Sequence, residues 1–151
     1  MKYDIATPYT AVYIVFRQDD KIAFVLRSNT DWMNDHYGLI AGKVEKDESF
    51  TAAAIREAQE EAGVRLKPDQ LKLALTAHRK SRDLVWVDMI FEASSWEGEL
   101  RNAEPDVHGE LKWLDPNNLP ENMVPSVRFY IEQVQAGNNF CEYGWGSNGE
   151  V

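Results

Sequence analysis

Three glutamates stand close together near the middle of the chain, at Glu57, Glu60 and Glu61. In a helix, their spacing would place the three carboxylates on one face, about one turn apart. Such a concentration of negative charge repels itself unless a cation lies between the groups. A hard divalent ion such as Mg²⁺ prefers oxygen ligands of this kind. The alternative is a solvated acidic face, which the three glutamates taken alone would favour.

The residues around the three glutamates change this interpretation. Gly42 is followed by five residues and then Glu48, and seven more residues lead to Arg56. The segment 42–64, GKVEKDESFTAAAIREAQEEAGV, resembles the Nudix box, G-x5-E-x7-R-E-U-x-E-E-x-G-U, where U is apolar. All nine specified positions match. The resemblance implies a Nudix hydrolase, an enzyme that cleaves a nucleoside diphosphate linked to another group, X. Outside the box, the segment WEGEL…NAEPD at 96–106 and the residues 113–114 and 119–120 resemble Nudix nucleoside triphosphate diphosphatases.

The same segment is predicted to fold as a loop followed by a helix. Gly42 suits a tight loop, where a side chain would prevent close backbone approach. Ser49 is a candidate N-cap, and the run 50–62 is rich in good helix formers. Gly63 is then a candidate C-cap. The small residues of such a helix would pack on a sheet while its acids line the rim of a cleft.

Two further residues of the box are expected to be structural. In helical projection Arg56 points away from the three acids. It is expected to pair with Glu48 or with one of the box glutamates and so to fix the loop on the helix. The alternative is that Arg56 is an ordinary surface charge.

The resemblance implies roles for the acids. Glu57, Glu60 and Glu61 match the positions that hold a divalent metal in the family, here Mg²⁺ with Mn²⁺ as a possible substitute. The base that activates water is Glu60, Glu61 or a carboxylate outside the box, and the sequence leaves that choice open. Relatives supply a further acid from the loop after the last long strand, as metal ligand or base. The loop offers Glu104, Asp106 and Glu110. Glu104 is the first candidate and Glu110 the second, and the alternative is that all three are surface charges.

Binding of the substrate needs cations and aromatic rings. Arg27 ends a predicted strand, where the resemblance implies a phosphate contact, and its planar fork suits that task. Lys43, inside the box loop, is a second cationic candidate. Trp32 and Tyr37 are candidates for stacking on a base, although each could equally pack in the core. The basic residues at 78–82 are interpreted as balancing acidic neighbours.

The order of predicted elements indicates an α/β protein, a Nudix α/β/α sandwich with a mixed β-sheet between helices. The segment 138–151 is rich in glycine and asparagine and is predicted to have no regular element, with its aromatic residues packed on the same domain. Strands are predicted at 10–17, 21–27, 37–41, 71–80, 84–94 and 111–114, and helices at 50–62 and 126–136.

Length, net charge and cysteine content limit the class of protein to which the chain can belong. The 151 residues are the length of one domain, 1–151, and the net charge of −9 argues against binding a nucleic acid polymer. Cys141 is the only cysteine, so no internal disulfide is possible. No segment resembles a membrane span or a signal peptide. A cytoplasmic protein, monomer or homodimer, with a small-molecule nucleotide as substrate is expected.

The substrate is the least determined feature. Some Nudix subgroups carry a distinguishing proline or tyrosine downstream of the box, and neither occurs at 79–82. The resemblance then favours (deoxy)nucleoside triphosphates, with nucleotide sugars as the alternative. A nucleotide-binding module without catalysis is a third possibility. The completeness of the box disfavours it.

Overall fold

Groups of strands are separated by two helices in the computed structural model, which describes residues 3–146. The helices are α1 (Phe50–Ala62) and α2 (Pro125–Gln135), and one 3-10 turn spans Pro68–Gln70. The strands are β1 (Tyr9–Gln18), β2 (Lys21–Arg27), β3 (Tyr37–Gly38), β4 (Ile40–Lys43), β5 (Lys72–Ser81), β6 (Leu84–Ala93), β7 (His108–Leu114) and β8 (Phe140–Tyr143).

The strands form one mixed sheet with β1 near its centre. The order is β3-β2-β1-β6-β5-β8, with β4 also paired to β1 and β7 to β2. β1 runs parallel to β6 and antiparallel to β4, whereas β5 and β6 form an antiparallel hairpin. The early part of the chain, which contains the box, therefore pairs directly with the later hairpin.

Alternate residues of β1 point to opposite faces of the sheet, and each face is covered by one helix. Val12 and Ile14 pack in the same core cluster as the buried alanines of α1. Val15, on the other face, packs in a second cluster with Tyr130 and Ile131 of α2. The predicted α/β class, with a mixed sheet between helices, is confirmed.

Three predicted segments differ from the structure. The strand predicted at 111–114 begins three residues earlier, at His108. The strand predicted at 37–41 is two strands, because β3 pairs with β2 while β4 pairs with β1. The prediction of no element in 138–151 is wrong at Phe140–Tyr143, where β8 runs parallel to β5. A parallel partner is reached through the whole of α2, so local composition does not reveal it. Residues 147–151 lie outside the described part of the chain.

Two of the three aromatic residues of this last segment, Tyr143 and Trp145, pack on the rest of the fold, whereas Phe140 is 50% exposed. Tyr143 lies 5.3 Å from Phe129, and Trp145 lies 4.5 Å from His78, measured between ring centroids. Cys141 is buried in the α2-side cluster, and burial raises the pKa of its thiol to about 11. A thiol of that kind is structural rather than reactive. Within residues 3–146 no helix has the length and apolar character that crossing a bilayer demands.

Candidate active site

Helix α1 begins and ends where its sequence predicts. The Ser49 hydroxyl accepts a hydrogen bond from the Ala52 N–H at 3.1 Å, which satisfies one of the free donors of the first turn. Gly63 adopts φ 67°, and its N–H donates to the carbonyl of Gln59 at 3.1 Å. These caps fix the length of the helix and therefore the direction in which its carboxylates project.

Gly42 is required by a close approach between β4 and α1. A Cβ atom at this position would lie 2.0 Å from the carboxyl carbon of Glu57, far inside van der Waals contact. The Glu57 carboxylate therefore occupies the space that any other residue at 42 would fill. The predicted tight approach at this glycine is present, and its partner is one of the box acids.

Arg56 joins the loop to the helix. Its Nε and Nη2 atoms donate to the Glu48 carboxylate at 2.8 and 2.9 Å, and Nη2 also donates to the Lys43 carbonyl at 3.0 Å. Its Nη1 atom donates to Glu57 at 2.7 Å and to Glu60 at 3.2 Å. The pairing with Glu48 lowers the pKa of that carboxyl to about 2.

The expectation that Arg56 points away from the three acids is therefore wrong. A helical projection gives only the direction of Cβ, whereas this long side chain bends back over the neighbouring turn. Its guanidinium bridges the loop and two of the acids at once.

The three box glutamates differ in burial. Glu60 is about half exposed, whereas Glu57 and Glu61 are largely buried. Glu61 accepts one hydrogen bond, from the Ala41 N–H at 2.8 Å. Burial raises the pKa of Glu61 well above its ordinary value, and the charges of Glu57 and Glu104 raise it further. Burial also raises the pKa of Glu57, although the bonds from Arg56 oppose the shift.

The loop after β6 brings Glu104 to these acids. The Ala103 N–H donates to the Glu61 carbonyl at 3.0 Å, and the Glu104 N–H donates to the Asn102 side chain at 3.1 Å. Burial and the charge of Glu60 raise the pKa of Glu104. Glu104 is thus within electrostatic range of all three box acids.

The second candidate, Glu110, has other partners. It accepts a hydrogen bond from the Tyr37 hydroxyl at 2.5 Å and lies 3.6 Å from the Lys112 ammonium. Of the two acids proposed from the sequence, the structure brings Glu104 and not Glu110 to the box. His108 is buried, with its Nε2 atom 3.9 Å from the Glu61 carboxylate, and burial lowers its pKa.

The donor set fits a divalent cation. Four carboxylates lie within electrostatic range of one another, and three of them have raised pKa values. Arg56 donates hydrogen bonds to Glu57 and Glu60, whereas no bond from Arg56 to Glu61 is present among residues 3–146. Within residues 3–146 no three such groups already stand together at ligating distance. The carboxylates of Glu57, Glu60, Glu61 and Glu104 are the oxygen donors that a hard metal would draw together.

A cavity of about 460 Å³ lies on the α2 side of β4. Ala41, Gly42 and Lys43 line the end next to the box. Arg27 and Trp32 line it too, and the Arg27 guanidinium carbon lies 5.3 Å from the centre of the Trp32 ring, with its Nε donating to the Trp32 carbonyl. Three of the residues proposed for substrate binding therefore surround one space.

Tyr37, the fourth, is not among the residues that line this cavity. Only 6% of the residue is exposed, and its hydroxyl is bonded to Glu110. Burial raises the pKa of that hydroxyl. The structure places Tyr37 with the α2-side core, which is the packing alternative that the sequence left open.

The cavity also contains residues that the sequence did not single out as binding residues. Tyr13, Arg79 and Trp86 line it, and Asp88 lies behind them with none of its surface exposed. Arg79 does balance an acid, as interpreted from the sequence, but that acid is buried in the sheet. The signal available in the sequence was Asp88 itself, a charge inside the apolar run LVWVDMIF, which demands a buried partner.

Comparison with known proteins gives concordant results. The family model described as NUDIX domain matches residues 7–134. A curated relative, an uncharacterized Nudix hydrolase (YvcI) of Bacillus subtilis, is 31% identical over 129 residues, covering 82% of this chain and 77% of its own length.

Solved structures show the same fold. The crystal structure of a MutT Nudix hydrolase from Burkholderia pseudomallei is 27% identical and matches with a TM-score of 0.77, covering 85% of this chain and 99% of that one. The solution structure of the E. coli ORF135 protein matches with a TM-score of 0.72 at 23% identity, covering 85% and 89%.

Proposed function

The chain belongs to the Nudix family of hydrolases, and from that premise we propose that it converts a (deoxy)nucleoside triphosphate to the monophosphate and pyrophosphate. Members of the family generally use divalent metal ions, and the proposed ion is Mg²⁺, with Mn²⁺ as a possible substitute. Glu57, Glu60, Glu61 and Glu104 would hold it. When bound, it would neutralise phosphate oxygens and lower the pKa of water.

One observation carries the proposal: a single cavity beside the box combines cationic and aromatic side chains. Arg27 and Lys43 line it and offer positive charge to phosphates. Tyr13 and Trp86 line the same cavity, with the Lys43 ammonium 5.9 Å from the centre of the Trp86 ring, and they offer aromatic faces to a base. The volume of the cavity is within the ordinary range for small-molecule sites.

The side chains around the cavity have distinct roles in this reaction. The Arg27 guanidinium and the Lys43 ammonium supply positive charge for phosphate oxygens. Arg56 holds the box loop on α1, so it positions the acids without contacting the substrate. Glu60, Glu61 and Glu104 are the candidates for accepting the proton of the attacking water. The raised pKa values of Glu61 and Glu104 suit that task better than an ordinary carboxylate would.

The test is turnover of a panel of nucleoside triphosphates and nucleotide sugars with Mg²⁺, with the products separated by anion exchange. We expect pyrophosphate and a monophosphate from the triphosphates. Glu61→Gln preserves shape but removes the charge, so activity should fall by about 10²-fold or more. Glu121→Gln, at an exposed acid before α2, is the matched control and should retain full activity.

Three results would contradict the proposal in different ways. Cleavage of a nucleotide sugar without cleavage of any triphosphate would favour the alternative substrate. Nucleotide binding without turnover in the wild type would favour a binding module. Normal turnover by Glu61→Gln would refute the assigned site. A single domain over 1–151, the cytoplasmic location and the choice between monomer and homodimer stay predictions from the sequence.

A further inference from the structure

One end of the cavity is built around a fixed guanidinium. Arg79 donates to Asp88 through Nε at 2.6 Å and through Nη2 at 3.3 Å. The Tyr130 hydroxyl donates to the same carboxylate at 2.6 Å. The guanidinium carbon lies 4.9 Å from the centre of the Trp86 ring. These contacts leave Arg79 one orientation, with its planar group against an aromatic face.

The chemistry of this group is that of a donor alone. Arginine has five N–H donors and no acceptor, and Asp88 uses two of them. Arg79 also lines the cavity, so remaining donors are available to a ligand there. Asp88 has none of its surface exposed and already accepts three hydrogen bonds. A ligand at this end therefore meets N–H groups and no carboxylate acceptor.

The free donors of Arg79 distinguish between two kinds of base edge. The Arg79–Asp88 pair is neutral, but Lys43 lies 5.9 Å from the centre of the same Trp86 ring and Arg82 also lines the cavity, so the surroundings are positively charged. A base edge that presents carbonyl oxygens can accept hydrogen bonds from these donors. An amino group in the same place would put its own N–H donors opposite those of Arg79. Buried N–H groups would then stay unpaired, which weakens binding substantially.

We infer that Arg79 is a specificity-determining residue that favours bases presenting a carbonyl oxygen over bases presenting an amino group at this position. The substrates would then be 6-oxopurine or 4-oxopyrimidine nucleotides. The inference rests on the proposed function, because it assumes that the base of a nucleotide occupies this end of the cavity.

The test uses substrate pairs that differ at this group. Inosine and adenosine triphosphates form one pair, and uridine and cytidine triphosphates form the other. We expect kcat/KM to favour the oxo member of each pair by roughly tenfold or more, the range for a paired arginine against a mismatched base edge. Equal values, or a preference for the amino member, would overturn the inference from the wild-type protein alone.

A double variant tests the residue itself. Arg79→Gln with Asp88→Asn keeps hydrogen-bonding groups at both positions but lets the side chain at 79 both donate and accept. The oxo-to-amino ratio should then fall to within about threefold of one. The matched control is Arg17→Gln with Glu92→Gln, which neutralises another arginine–carboxylate pair between β1 and β6 that does not line the cavity. It should keep the wild-type ratio.

The outcomes separate this inference from the proposed function. Turnover of all four triphosphates without discrimination would overturn the inference and leave the proposed function standing. An unchanged ratio in a folded double variant would do the same. Turnover of none of the four would overturn both. If the double variant does not fold, the oxo-to-amino ratios of the wild type alone decide whether the inference stands.

Discussion

Among the box acids, Glu61 has the least favourable surroundings for a charge. It is buried beside Glu57 and Glu104, accepts one backbone hydrogen bond, and has no contact with Arg56. The spacing of the three glutamates predicted that they would share a helix face, and they do. Spacing could not predict that Glu60 is exposed and Glu61 buried, because burial depends on β4 and on the loop after β6.

At this scale we predict that Glu61→Gln stabilises the metal-free protein at neutral pH. A raised pKa means that the folded state binds the proton more tightly than the unfolded state. The wild-type protein therefore loses stability as pH rises from the ordinary carboxylate range through the raised pKa. The variant lacks this slope, so its Tm in EDTA should match the wild type near pH 4 and exceed it at pH 7.5.

Thermal unfolding across this pH range is the measurement, and Glu121→Gln should show no such divergence. Mg²⁺ should raise the Tm of the wild type more than that of Glu61→Gln, because only the former keeps the full ligand set. A variant that is less stable than the wild type at pH 7.5 would show that the folded state does not disfavour the ionised form of Glu61.

At the scale of elements, the site depends on a loop that is anchored to a helix end. The Arg101 and Ala103 N–H groups donate to the carbonyls of Ala62 and Glu61, so the loop satisfies acceptors that α1 leaves free at its last turn. The sequence placed Glu104 in this loop, but it could not show the anchorage, because these bonds join residues about 40 positions apart in the chain only after both elements have folded.

Asn102→Ala tests this anchorage. The Asn102 side chain accepts from the Glu104 N–H and donates to the His108 carbonyl at 2.8 Å. Losing both bonds should cost about 1–2 kcal/mol of stability. It should lower kcat by roughly tenfold or more, because Glu104 is no longer held beside the box.

Asn138→Ala is the control, since it removes a side-chain bond to Gln133 at 2.8 Å next to the C-terminal end of α2. It should leave kcat unchanged. The role assigned to the loop would fail if Asn102→Ala lowered Tm while its kcat stayed at the wild-type value.

At the scale of the whole molecule, the last described segment completes the sheet. Strand β8 lies beside β5, and the chain then turns so that the Trp145 indole N–H donates to the His78 carbonyl at 2.9 Å. The positions of both helices and most strands could be predicted from local pattern. The order of the strands and the place of β8 could not, because parallel pairing depends on contacts between segments distant in sequence.

Gly144→Ala tests whether the last described segment packs closely against β5. Gly144 has φ 83°, and a Cβ atom there would lie 2.0 Å from the Lys80 carbonyl oxygen. Gly137 has a similar φ of 77°, but a Cβ atom at that position would meet nothing within 4 Å. Alanine at 137 should therefore cost only the backbone strain, about 1 kcal/mol.

Alanine at 144 should cost about 1–3 kcal/mol more, because the backbone must also move. At this chain length that corresponds to a Tm lower by roughly 2–4 °C per kcal/mol, which differential scanning calorimetry can resolve. Equal decreases in Tm for the two variants would show that the segment does not press against β5.

One face of strand β4 is directed toward α1 and the box acids, and the other face is directed toward the cavity. Ile40 packs in the α1-side core, and the missing side chain of Gly42 makes room for Glu57, whereas Ala41 and Lys43 line the cavity, which Gly42 reaches only with backbone atoms. Mutations at even and odd positions of this strand should therefore fall into two classes. A redesign of substrate preference would randomise 41 and 43, while substitutions at 42 would be eliminated as inactive before any preference could be selected.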